Sequence, residues 1–65
     1  MTFGQEIEYV RKMCGYTIVD MCDILDILEP QYHKIIAYNG PLNLYQKIAL
    51  IIATEYPFDS MPKKA

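Results

Sequence analysis

The stretch from Gly15 to Ile36, GYTIVDMCDILDILEPQYHKII, decides the architecture. Glycine at 15 is the residue type that closes a preceding helix from a left-handed C′ position. Thr17 stands three residues before Asp20, a capping-box spacing in which each side chain takes the other's backbone N–H, so a helix opens there. Met21, Cys22 and Leu25 supply its inner face, with Asp20, Asp23 and Asp26 on the outer one. The next helix starts at Glu29-Pro30, because the N–H that proline lacks would go unpaired in a first turn anyway. Tyr32, Ile35 and Ile36 are its apolar members. Only Asp26-Ile27-Leu28 joins the two helices. So short a connection keeps them from lying antiparallel, and they must cross.

Upstream, Phe3, Ile7, Val10 and Met13/Cys14 recur at spacings of three and four, the inner face of a first helix. Downstream, Asn39-Gly40-Pro41 stops the third helix and turns the chain. Asn43, followed three residues later by Gln46, opens a fourth helix that runs to about Glu55. Leu44, Lys47-Ile48, Ile51 and Ile52 give it a broad apolar stripe, read as its core face, and Pro57 closes it. The expected fold is all-α, with four to five short helices: a domain over 1–56 and a short C-terminal turn and frayed tail over 57–65. No strand-period run, internal repeat or low-complexity segment competes with this reading.

Composition sets the limits on function. The chain has 65 residues, 52% of them hydrophobic, and a net charge of −2. A domain of this size buries only about 60% of its unfolded surface, and the apolar content is high enough to supply the core. Low charge with high apolar content excludes intrinsic disorder. A net negative charge weighs against a general polyanion binder. The longest apolar run, Ile48 to Ala53, suits a buried helix and is too short for a membrane span. Glu6 and Glu8 stand where a secretory leader would be basic, so cytoplasmic residence is expected. Cys14, Cys22 and His33 lack metal-site spacing, and both cysteines are expected to be small buried hydrophobes; no metal or cofactor is expected. No nucleophile–base set or phosphate-cradling glycine loop is present, so the chain is not expected to be an enzyme. The six tyrosines are read as partly buried packing with bonded hydroxyls rather than as a base-stacking platform, since no basic groove accompanies them.

From Gly4 to about Ile52 the chain resembles the Cro/phage-repressor helix-turn-helix family, also called the xenobiotic-response-element type. The resemblance rests on Gly4, Ile7, Val10 and Arg11, then Gly15-Tyr16-Thr17, all in register without a gap. It continues through Met21-Cys22, Leu25, Ile27 and Ile35, and resumes with Pro41 and Lys47-Ile48-Ala49 after a slightly shorter loop. It implies a phage-repressor-like fold and a small DNA-binding transcriptional regulator whose third helix enters the major groove. The DNA-facing residues it implies are Thr17, Gln31, His33, Lys34, Tyr38 and Asn39, with Lys34 foremost. Such proteins usually act as dimers on double-stranded DNA, and Tyr56, Phe58 and Met61 are the local candidates for an apolar contact between copies. DNA-binding relatives also carry acids on the second helix, so Asp20 and Asp23 do not count against DNA.

Several positions depart from the family. Ile18 stands where glutamine is usual, Glu29-Pro30 where the reading helix usually begins with polar or basic residues, and Asp26 where glycine is usual. Asp26 is therefore expected in a left-handed conformation, which aspartate tolerates better than most residues. Ile36 replaces a glutamate that would pair with the arginine at the position of Arg11. Arg11 must then turn outward or pair elsewhere, Glu8 being one turn away. Ile18 and Ile36 either extend the core or form an exposed apolar spot for a protein partner. The alternative function is thus a helix-turn-helix fold reused as a protein-interaction module, with Ile18, Ile36, Tyr56, Phe58 and Met61 as its candidates.

Overall fold

The computed structural model describes residues 1–61, which form α1 (Phe3–Cys14), α2 (Ile18–Leu25), α3 (Glu29–Tyr38) and α4 (Leu44–Thr54). All regular structure among the described residues is helical. The helices pack in a ring, α1 against α3, α3 against α2, α2 against α4 and α4 back against α1. Each element begins where the local chemistry says it should. Thr17 Oγ1 accepts from Asp20 N–H at 3.0 Å while Asp20 Oδ2 accepts from Thr17 N–H at 2.8 Å. Asn43 and Gln46 repeat the arrangement at 2.8 and 2.9 Å. A third box, Thr2 with Gln5, opens α1.

The helix ends share one device. Gly15, Asp26, Asn39 and Glu55 all adopt left-handed conformations at C-caps, with φ of 78°, 57°, 61° and 52°. The expectation for Asp26 holds: the turn needs positive φ whether or not glycine is present.

The core is built from Phe3, Ile7 and Val10 of α1, Met21, Cys22 and Leu25 of α2, Tyr32 and Ile35 of α3, and Leu50 of α4. Leu42, in the loop before α4, is also buried; no periodic pattern in the sequence marked it. At Gly4, α1 and α3 come so close that a Cβ would run into the Ile36 carbonyl oxygen. Asn39 Oδ1 accepts from the Gly4 N–H at 3.0 Å, clasping the start of α1 to the end of α3.

Two expectations need correction. Cys14 is exposed rather than buried, because the last turn of α1 runs past the core; Met13 beside it is exposed too. Cys22 is buried, and neither cysteine forms a disulfide. The larger correction concerns α4. Leu44, Ile48, Ile51 and Ile52 do not face the core; with Tyr45 they are exposed, from 43% for Ile51 to 70% for Ile52. Leu50 and Thr54 face inward instead. Because α4 is apolar nearly all round, periodicity could not choose its inner side. Burial of Leu50 goes with this rotation, and tertiary hydrogen bonds accompany it. Gln46 Nε2 donates to the Leu25 carbonyl at 3.3 Å, and the Tyr16 hydroxyl donates to the Ala53 carbonyl at 2.8 Å.

After α4 the segment through Met61 folds back onto α1. Buried Glu6 accepts the backbone N–H groups of Asp59 and Ser60 at 3.2 and 3.0 Å. Phe58 meets Phe3 edge-on at 6.1 Å, and Tyr56 packs on Phe58 at 5.1 Å. The frayed end expected for the tail falls on residues 62–65, outside the described residues.

Candidate nucleic-acid interface

α3 is held from behind. Tyr32 is fully buried, and its hydroxyl donates to Glu8 Oε2 at 2.6 Å. Glu8 in turn takes both Nε and Nη2 of Arg11, at 3.0 and 2.9 Å, in a fork that matches the carboxylate. Arg11 Nη1 donates to the Tyr16 carbonyl at 2.8 Å. Arg11 thus pairs with Glu8, one turn away on its own helix, which is one of the two outcomes expected for it. The Arg11 hydrogen bonds, together with that from Tyr32, hold the Glu8 carboxyl below its usual range against the opposing effect of burial. Hydrogen bonding to Glu8 raises the Arg11 guanidinium. Burial, then the Glu8 hydrogen bond, pushes the Tyr32 phenol well up, so it remains a neutral donor. The network ties α1 to α3 and leaves Arg11 committed to structure.

α2 hands the chain to α3 through Asp26-Ile27-Leu28. The Asp26 N–H donates to the Asp23 carbonyl and the Ile27 N–H to the Cys22 carbonyl, at 3.4 and 3.0 Å. Leu28 occupies the N-cap of α3 but has no polar side chain to offer, so only half of a capping box forms: Gln31 Oε1 accepts from the Leu28 N–H at 2.9 Å. Glu29 lies in the first turn, where the helix dipole favours an acid.

The outward face of α3 carries Glu29, Pro30, Gln31, His33, Lys34, Ala37 and Tyr38, all exposed. Gln31 keeps its amide NH₂ free to donate, since its oxygen is bonded to Leu28. His33 leans edge-on toward Tyr32 at 6.1 Å. Lys34 is the cation of this face and Glu29 its acid. The structure thus brings Gln31, His33, Lys34 and Tyr38 together on one helix. Thr17 lies at the exposed start of α2, its oxygen engaged in the cap. Asn39 is exposed at the end of α3, but its side-chain oxygen is bonded to Gly4.

The residues set aside for a protein partner sit differently. Ile18 and Ile36 are partly buried against the core, so they extend it rather than forming an exposed spot. Phe58 and Met61 also pack against the core, and Tyr56 is half-buried on Phe58. The apolar surface that α4 turns to solvent is made of residues that the periodicity of the sequence places in the interior. Its signal lay in the sequence: Leu44 to Ala53 holds more apolar residues than one face of a helix can bury.

Among the described residues there is no pocket and no cluster of three metal-capable side chains. No helix among them is long and apolar enough to cross a membrane. Comparison with protein-family models, curated proteins and solved structures returns no match.

Proposed function

We propose that this chain is a small helix-turn-helix DNA-binding transcriptional regulator that lays α3 in the major groove. One observation carries the reading: α3 is anchored on its inner side by Tyr32 and Ile35, and its exposed side carries Lys34, with Gln31 and His33 toward opposite edges of that side. The three-residue connection from α2, with Asp26 in the left-handed region, is the geometry that projects a second helix beyond the body of such a domain. The Gln31 amide and the Lys34 ammonium both offer donors. Donors suit guanine N7 and O6 and phosphate oxygens, so this face favours guanine-containing sites. Glu29, the acid on the α3 face, lowers the affinity for phosphate in general and leaves more of the binding to specific contacts.

Selection from a pool of random duplexes, followed by fluorescence anisotropy at about 50 mM salt, tests the reading under permissive conditions. Binding should weaken steeply with salt. Lys34→Ala should weaken binding about tenfold, and if Lys34 meets a phosphate the logarithmic salt slope should fall by about one. Failure to enrich or bind any duplex overturns the reading. A second reading, docking of a protein on the same α2–α3 surface, is favoured by exposed Val19, Leu28 and Tyr38 around that connection and α3. It predicts that Leu28→Asp abolishes partner capture and leaves the helical signal intact.

A further inference from the structure

Five apolar side chains of α4, Leu44, Tyr45, Ile48, Ile51 and Ile52, lie exposed on one side of the helix. At 100° per residue they span roughly a third of its circumference. Together they expose on the order of 500 Å², at the upper end of what monomeric proteins leave open. Between Leu44 and Ile52 the only charge is Lys47, which is half-buried. Such a face offers a foreign partner little charge pattern to select it by.

The spacing points to one occupant. Leu44 and Ile52 lie four residues either side of Ile48, and Tyr45 and Ile51 lie three residues either side. The set is therefore palindromic about Ile48, both along the helix and around it. A two-fold axis at Ile48, perpendicular to α4, sets two copies antiparallel. It brings Leu44 of one level with Ile52 of the other, Tyr45 level with Ile51, and Ile48 against its own counterpart. An isologous interface uses the same patch on both copies, and a patch that extends equally either way from Ile48 sets apolar residues against apolar ones at every level. Burying the face from both copies removes about 1,000 Å² of apolar surface before any rim is counted, which reaches the lower bound for a specific interface. The inner side of α4 rests on α1 and α2, so a partner on its outer side leaves the α3 face open.

We propose that the exposed face of α4 is the docking surface for a second copy of this chain, in an antiparallel two-fold dimer centred on Ile48. The claim does not depend on DNA binding and is tested without DNA. Sedimentation velocity of the full chain at about 100 µM populates any dimer of micromolar affinity. The expected mass is twice the 7.6 kDa of one chain. Ile48→Asp and, separately, Ile52→Asp should each return the mass to a single copy while the helical circular dichroism is unchanged, because both positions face solvent in the monomer. At interaxial distances of 8–10 Å or so, facing α-carbons lie within disulfide reach. Ile48→Cys in a Cys14→Ser background should therefore form an intermolecular disulfide rapidly on mild oxidation, whereas Val19→Cys in the same background should not. A wild-type chain that stays a single copy at this concentration overturns the proposal and leaves α4 to another partner. A dimer that survives both aspartate variants overturns it as well.

Discussion

α3 and α4 are of nearly equal length, ten and eleven residues, and they meet solvent in opposite ways. α3 buries apolar residues and shows polar ones; it is clamped by the Arg11–Glu8–Tyr32 network and by the close passage at Gly4. α4 buries little beyond Leu50 and Thr54, shows five apolar side chains, and is tied to α2 and to Tyr16 by hydrogen bonds to backbone carbonyls. The difference teaches that one small domain can divide its surface by chemistry. The one helix turns donors and charge to solvent, and the other turns aliphatic surface to it.

Removing the buried anchor of each helix should have the largest effect. Tyr32→Ala deletes a fully buried ring and should cost about 3–5 kcal/mol; Leu50→Ala should cost about 2–5 kcal/mol. In a domain of this size each kcal/mol lowers Tm by about 4–8 °C, so thermal melts rank the two anchors directly. If Leu50→Ala proves harmless, the assignment of inner and outer sides of α4 is broken.

Gly4→Ala comes next. The added methyl meets the Ile36 backbone, which cannot rotate away, so α1 and α3 must separate. A loss of about 1–3 kcal/mol is expected in chemical denaturation. Ala37→Gly, at an exposed α3 position, should cost only the helix-propensity difference of about 1 kcal/mol or less. Equal effects would mean that the close passage does not constrain α3.

The smallest effect is pH-dependent. The carboxyl of Glu8 is held below its usual value of 4.5, so its contribution to stability is complete above that value. It is lost as pH falls through the lower value in the folded state. Glu8→Gln should cost about 1–2 kcal/mol at neutral pH, since the pair is only partly shielded from water. The cost should shrink as the solution is acidified below pH 4.5. Tm measured against pH for the two proteins should converge at the acid end. Parallel curves would show that the network does not anchor α3 through charge.

The backbone plan was legible residue by residue. Thr17 with Asp20, Asn43 with Gln46, Gly15 and Asn39-Gly40-Pro41 set helix starts and stops through interactions reaching only a few residues, and such interactions are written in local sequence. Arg11 with Glu8 was legible for the same reason, being one turn apart on one helix. Tyr32 joining that pair and Glu6 receiving the Asp59 and Ser60 amides join residues more than twenty positions apart, and no local pattern announces them. The face of α4 belongs to the same class. Its sequence is apolar on nearly every side, so amphipathicity specified a helix and left its rotation open. The tertiary fold, which buries Leu50 and Thr54 and ties α4 to the Leu25 carbonyl and the Tyr16 hydroxyl, decided which apolar residues became core and which were left facing water.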